Sequence, residues 1–167
     1  MRYRGIFIGK HIEKLISTSD TQFVIDWVLS YYELESFKLS IRFYPYQHKK
    51  EGGMEAWYNP GTHTIWFTGK VLLKDRLLLN LVHEIVHAVD FDGHEYSVPT
   101  HMKKLSAELL SKDIQYSDYQ LYLLDPAEIH AFHVSMKFFN ANRDLFDTYP
   151  ERLDLEYLLL GIDILSL

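Results

Sequence analysis

Two histidines four residues apart, His83 and His87, lie in the segment "LVHEIVHAVD", and Glu84 directly follows the first of them. In an α-helix, residues four apart lie on the same face, with about 5–6 Å between their Cβ atoms. Two imidazoles placed in this way can bind one tetrahedral Zn²⁺ at about 2.0–2.1 Å. Glu84 is turned about one hundred degrees around the helix, so its carboxylate misses the metal but can reach a water beside it. The spacing therefore predicts a metal site with an adjacent general base.

The helix that must carry these residues is predicted over about 74 to 91. Most of its side chains are leucine, valine or isoleucine, and the polar ones form one stripe of Asn80, His83, Glu84 and His87. A solvent-facing stripe more often consists of lysine, arginine, glutamate and glutamine. An imidazole-rich stripe on an apolar helix is typical of the floor of a cleft, and an ordinary solvent face is the alternative interpretation.

The run His83-Glu84-Ile85-Val86-His87 resembles the H-E-x-x-H signature of the zincin metallopeptidases. The resemblance implies a zinc cofactor, a protein or peptide substrate, His83 and His87 as metal ligands, and Glu84 as the catalytic general base. It also implies that an antiparallel strand beside the active helix pairs with extended substrate, and "HTIWF" and "MEAWY" are the two candidates. A non-catalytic protein of zincin fold that holds a protein partner, or a zinc hydrolase acting on another substrate, remains an alternative.

A catalytic zinc needs a third protein ligand. The metzincin pattern requires glycine at 90 and histidine at 93, whereas the sequence has Asp90 and Gly93. The later segment "DPAEIHAF" contains Glu128, 41 residues after His87. Its setting resembles the E-x-x-A segment of the small bacterial and phage metallopeptidases of the ImmA/IrrE type, which hold zinc in the gluzincin manner. This second resemblance implies Glu128 as the third ligand.

Other residues compete for these roles. His94, His130 and His101 are alternative third ligands. Glu128 itself follows an N-cap aspartate, Asp125, at the spacing of a capping box, so its carboxylate could instead complete the start of a helix. Asp90 and Asp125 are weak candidates for a carboxylate that orients the metal ligands. The candidates for stabilising an oxyanion are His130, His133, Tyr96, Tyr116, Tyr119 and Tyr122.

The composition indicates one soluble domain over residues 1–167, with a net charge of −6 and 47% hydrophobic residues. The acidic charge argues against nucleic acid as the main partner, because phosphate binding needs a concentrated basic surface. The chain has no cysteine, so a metal site must use histidine and carboxylate ligands. No apolar run has the length of a secretory signal or a membrane span. We therefore expect a cytoplasmic protein with no membrane partner, and the oligomeric state is not indicated.

The order of the predicted elements indicates an α+β fold with segregated layers, a small zincin-like domain. An N-terminal helix is predicted over about 20 to 35. A three-stranded antiparallel sheet follows, built from "FKLSIRFYPY", "MEAWY" and "HTIWF", with a turn at "NPGT". The remaining chain is predicted to be helical and to carry the metal site. Its further helices are expected at about 99 to 112, 116 to 123, 126 to 146 and 150 to 160.

Overall fold

The computed structural model describes residues 1–12, 15–44, 56–68, 74–91, 93, 95–146 and 153–167, without the side chains of residues 74 and 153–155. The strands in these ranges are β1 (Arg2–Tyr3), β2 (Ile6–Ile8), β3 (Leu39–Tyr44), β4 (Ala56–Asn59) and β5 (Thr64–Thr68). The helices are α1 (Thr18–Tyr31), α2 (Lys74–Asp90), α3 (Thr100–Leu110), α4 (Asp118–Leu123), α5 (Pro126–Ala141) and α6 (Leu153–Leu159). The predicted α+β class is confirmed.

The strands form one mixed sheet with the order β1-β2-β3-β5-β4. β2, β3 and β5 run parallel to one another, while β1 and β4 are antiparallel to their neighbours. The predicted three-stranded antiparallel sheet is therefore wrong, because β5 lies between β3 and β4 and pairs with β3 in parallel. The predicted hairpin of β4 and β5 around the "NPGT" turn is present. α1 provides the crossover that a parallel pairing of β2 with β3 requires.

Successive side chains of each strand alternate between the two faces of the sheet, and one of these faces packs against the helices. A row of four paired residues, Ile8, Ile41, Ile65 and Tyr58, crosses β2, β3, β5 and β4 in that order. All four are buried. Because successive residues of a strand point to opposite faces, their neighbours Ser40 and Arg42 on β3 lie on the other side of the sheet. The core therefore lies on one side of the sheet, where the helices cover it.

Side-chain caps determine where two of the important helices begin. Ser17 caps α1 by accepting the N–H of Asp20 at 3.0 Å. Asp125 caps α5 by accepting the N–H of Ala127 at 2.8 Å, and a proline occupies the first helical position. α5 ends earlier than predicted, since Asn142 leaves the helical conformation with φ −133° before a short 3₁₀ turn. The predicted helix of 150 to 160 is present as α6, and residues 150–152 lie outside the described residues.

α2 is the central helix of the molecule. It packs against α1, α5 and β4. Its apolar residues Leu78, Leu81, Val82, Ile85 and Val86 have no exposed surface. Each such side chain contributes about 1.5–3 kcal/mol relative to full exposure. The position of the histidines on α2 is therefore fixed by the core around them.

None of the helices in the described ranges combines the length and the hydropathy needed to cross a lipid bilayer.

Candidate metal centre

Three predicted ligands meet where α2 packs against α5. The Nε2 atoms of His83 and His87 lie 3.0 Å apart. One carboxylate oxygen of Glu128 lies 3.1 Å from the Nε2 of His83, and the other lies 3.1 Å from the Nε2 of His87. The ligand atoms of all three residues thus lie close enough to one another that the group could hold one metal ion. We call these three residues the ligand cluster.

The local sequence explains why Glu128 reaches the two histidines. The capping of α5 by Asp125 places Glu128 in the first helical turn. The capping-box alternative would turn its side chain back toward the helix start, but the carboxylate lies against the imidazoles of α2 instead. Ala131, one turn further on the same face, is fully buried. Its small side chain allows the two helices to approach closely enough for the contact.

The geometry of the ligand cluster fits a cation. Each imidazole carries at most one proton at Nε2 and the ionised carboxylate carries none, so at most two of the three close contacts in the cluster can be hydrogen bonds. A divalent metal about 2.0–2.1 Å from its nitrogen ligands accepts a lone pair from each atom at once. Two imidazoles and one carboxylate form a donor set that zinc uses, and other divalent transition metals also accept it. The cluster therefore fits a metal without identifying it as zinc.

Packing holds the two imidazoles in place. The Nδ1 atoms of His83 and His87 are buried and have no hydrogen-bond partner among the described residues. The ring of His83 lies 4.5 Å from that of Phe132, and the ring of His87 lies 5.5 Å from that of Tyr96, measured between centroids. Aromatic contacts of this kind fix ring orientation. In the described part of the chain, they take the place of the hydrogen bonds that usually orient metal-binding histidines.

The charges in the ligand cluster are coupled. Burial opposes ionisation of Glu128, but hydrogen bonds from His83 and His87 outweigh it and lower the pKa of the carboxyl. Burial likewise disfavours the charged form of His87, and the hydrogen bond to Glu128 outweighs it and raises the pKa of this histidine. The site thus stabilises positive charge beside an ionised carboxylate, which is the electrostatic condition for holding a cation.

Glu84 lies beside the ligand cluster and belongs to α2. Its carboxyl is buried, and burial raises its pKa, while the charges of His83 and His87 lower it in part. The backbone N–H of Tyr58 on β4 also donates to this carboxyl, which lowers the pKa further without reversing the shift. Glu84 is thus a buried carboxyl next to the predicted metal ligands, with its proton affinity raised above that of an exposed glutamate.

His130 does not join the ligand cluster. Its Nδ1 lies 2.6 Å from a carboxylate oxygen of Asp90, and the other oxygen of Asp90 accepts the hydroxyl of Tyr32 at 2.9 Å. Asp90 and His130 are both buried. Asp90 therefore orients His130, not the predicted metal ligands. This buried network of Tyr32, Asp90 and His130 joins α2 and α5 to the end of α1.

The other candidate groups are used elsewhere or lie outside the described residues. The Nδ1 of His133 is 2.8 Å from the carbonyl oxygen of Ile164, which attaches α5 to the C-terminal segment. His101 is exposed on α3. Asp125 caps its own helix, as described above. His94 lies outside the described residues.

Two of the four candidate tyrosines lie at the site. Tyr96 is half-buried and packs its ring on His87. Burial and the neighbouring carboxylate of Glu128, which accepts a hydrogen bond from Tyr122, raise the pKa of Tyr122. Tyr122 thus contacts a predicted metal ligand, whereas Tyr96 lies beside the cluster with its ring against His87.

The remaining two tyrosines bond to groups away from the cluster. The hydroxyl of Tyr116 donates to the carbonyl oxygen of Leu109 at the end of α3. The hydroxyl of Tyr119 donates to a carboxylate oxygen of Glu156 on α6. Both hydrogen bonds join elements of the helical half, so neither residue is placed to stabilise an oxyanion.

Two residues at the site were missed by sequence reasoning. Phe132 packs on His83, and its position four residues after Glu128 places both on one face of α5. That spacing is a signal that could have identified it. Tyr58 contacts Glu84 through its backbone, and a backbone contact between distant segments leaves no signal in the side-chain pattern.

No protein-family model, curated protein or solved structure matches this chain. The fold and the site by themselves define an α+β protein with a candidate metal centre, to which the central helix α2 supplies two histidines and α5 supplies one glutamate.

Proposed function

We propose that this protein is a zinc-dependent metallopeptidase that hydrolyses peptide bonds in a protein or peptide substrate. The observation that carries the proposal is the ligand cluster of His83, His87 and Glu128 with the buried carboxyl of Glu84 beside it. Two ligands and a general base come from the H-E-x-x-H pattern of one helix, and the third ligand comes from another helix. This division of roles is similar to that of the zincin metallopeptidases.

In the proposed reaction, His83 and His87 hold the metal through their Nε2 atoms, and Glu128 holds it through its carboxylate. When bound, zinc supplies a Lewis acid for a carbonyl oxygen and lowers the pKa of water toward about 7. The carboxylate of Glu84 accepts a proton from the attacking water. It then donates this proton to the nitrogen of the leaving amine, so the general base becomes the general acid.

The edge of the sheet supports a peptide as the substrate. Of the two candidate strands, β5 is internal, whereas β4 is the last strand of the sheet among the described residues. β4 also packs against α2, and the backbone of Tyr58 contacts Glu84. An extended peptide can add to an exposed strand edge through main-chain hydrogen bonds. A peptide on this edge would lie close to the proposed general base.

Metal content is the first test. Elemental analysis of the purified protein is expected to find zinc at close to one ion per chain. His87→Ala removes one ligand and is expected to lose most of the metal, whereas Glu84→Gln leaves all three ligands and is expected to retain it. Equal trace zinc in the wild type and His87→Ala would contradict the metal site.

Cleavage of a mixed library of extended peptides is the second test. Glu84→Gln keeps the shape of the side chain but removes the proton acceptor, so cleavage is expected to slow by at least about 100-fold. Glu108→Gln is the matched control, because Glu108 is exposed on α3 and its loss should leave cleavage unchanged.

The two measurements also distinguish the alternatives. Undiminished cleavage by Glu84→Gln would exclude Glu84 as the general base. If the wild type binds zinc but cleaves none of the peptides, the non-catalytic binding protein or a zinc hydrolase acting on another substrate is favoured.

A further inference from the structure

A second site lies away from the ligand cluster, where the parallel strands begin. The structure contains a cavity of about 380 Å³ beside the start of β3, the turn between β1 and β2, and the turn before β5. This volume falls within the range of small-molecule sites in proteins. The described residues that line it come from the hairpin of β1 and β2, from the start of β3 with the segment before it, and from the turn before β5.

Close backbone packing forms one wall of the cavity. Gly5 has φ +85°, and a Cβ at this position would lie 2.7 Å from the carbonyl oxygen of Phe37. The N–H of Phe37 donates to the carbonyl of Arg4 at 2.9 Å. The turn before β3 is thus attached to the turn between β1 and β2. The wall is part of the fold, so the cavity does not depend on a ligand for its shape.

The charge of the lining is positive. Arg2 and Lys38 contribute two cationic side chains, and both are exposed. None of the described lining residues is acidic, although the chain as a whole carries a net charge of −6. Ser36, Ser40 and Thr62 add hydroxyl donors to the same lining. Cations and hydroxyls without a carboxylate are complementary to an anion.

His63 occupies an unusual conformation at this cavity. Its φ of +49° lies in the left-handed region, which costs free energy for a residue with a Cβ. The hydroxyl of Tyr58 bonds to its Nδ1 at 2.5 Å, which leaves Nε2 as the second hydrogen-bonding atom of the ring. Burial and then the charge of Lys38 lower the pKa of His63. A bound anion would offset the charge of Lys38 and raise that pKa.

We propose that this cavity binds a small anionic ligand whose charge is carried by phosphate or carboxylate groups. The ammonium of Lys38 and the guanidinium of Arg2 provide the attraction, and His63 and the hydroxyls of the lining provide hydrogen bonds. This site does not depend on the proposed peptidase activity, because it shares no lining residue with the ligand cluster.

NMR titration of the ¹⁵N-labelled full-length protein tests the site. One arm uses inorganic phosphate and the other succinate, with the ionic strength held constant with sodium chloride. We expect saturable shifts of the backbone amides of residues 36–40 and 62–63 in at least one arm, together with a raised pKa of His63. The arm that saturates identifies the charged group, and saturation in both arms shows a general anion site.

Two matched lysine variants distinguish a specific binding site from general charge attraction. Lys38→Gln is expected to weaken binding about tenfold or more, since a charge-assisted hydrogen bond is lost. Lys104→Gln removes the same charge from an exposed position on α3 and is expected to bind as tightly as the wild type. Absence of saturable shifts in both arms would overturn the proposal. Equal weakening by the two variants would also overturn it.

Discussion

At the scale of single residues, Asp90 is notable because it belongs to the helix of the metal ligands and yet serves a different partner. It lies one turn after His87, but its two carboxylate oxygens bond to His130 and Tyr32. These contacts join three helical elements through one buried acidic side chain. Buried polar groups are costly to leave unpaired, so this network contributes to stability through the partners that it satisfies.

We predict that Asp90→Asn lowers the free energy of unfolding by about 1–3 kcal/mol. The neutral amide has one acceptor oxygen in place of two, so both bonds lose their charge assistance and either His130 or Tyr32 loses its acceptor. Urea denaturation measures the change. Asp113→Asn is the control, because Asp113 is exposed in the loop after α3. A change within experimental error of this control would show that the network contributes nothing.

The single residues of the site also show which of its parts can be predicted from the sequence. His83, Glu84 and His87 lie on one helix, so their spacing alone predicts their common direction. Glu128 comes from another helix, and only the resemblance to a known metallopeptidase segment singled it out from the competing histidines. The pairing of His130 with Asp90 could not be predicted, because it depends on how α5 is rotated against α2. That rotation is set by packing of many side chains at once.

At the scale of elements, the approach of α5 to α2 determines whether the ligand cluster exists. Ala131 is fully buried one turn after Glu128, on the face that carries the ligand. A larger side chain at this position must either push the helices apart or displace the residues packed around it. The position therefore affects both the stability of the fold and the geometry of the cluster.

We predict that Ala131→Leu lowers the free energy of unfolding by about 1–3 kcal/mol and weakens binding of the proposed zinc ion. Ala141→Leu adds the same atoms at the exposed end of the same helix and should change neither property. Urea denaturation and competition with a zinc chelator measure the two effects. Tight zinc binding by Ala131→Leu would show that the helix spacing does not control the cluster.

The sheet shows that sequence patterns can identify strands without predicting how those strands pair. Alternation in β3 and β5 identifies which side chains face the core, but it carries no information about the direction of the neighbouring strand. β1 and β2 have only two and three residues, too few for a periodic pattern. The helices were predicted well because their apolar period extends over several turns and polar caps mark some of their starts. Strand pairing is decided by contacts between distant segments, which the local pattern does not contain.

At the scale of the whole molecule, the C-terminal segment is attached to the helical half through His133. Its Nδ1–H donates to the carbonyl oxygen of Ile164, and the ring is buried. Burial lowers the pKa of His133, although the bond to Ile164 raises it in part. The native protein therefore binds a proton at this histidine less readily than the unfolded chain, in which histidine has its ordinary pKa of about 6.5.

We predict that the stabilisation from His133 is fully present above about pH 6.5 and decreases as the pH falls below it. The sign follows because the unfolded state binds more protons than the native state in this range. Urea denaturation at several pH values should show that the difference in unfolding free energy between the wild type and His133→Gln shrinks on acidification. His11→Gln, which removes an exposed histidine near the N-terminus, should show no such trend. A constant difference for His133→Gln across the range would contradict the prediction.

Glu128 lies 41 positions after His87, which has a consequence for how the ligand cluster would acquire an ion. In an extended chain these side chains are far apart, so the complete coordination set exists only after α2 and α5 have docked. Any ion held by all three residues then favours the native state over the unfolded one by mass action. The supply of metal in the cell would thereby influence how long each newly made protein molecule survives proteolysis, as well as whether it is active.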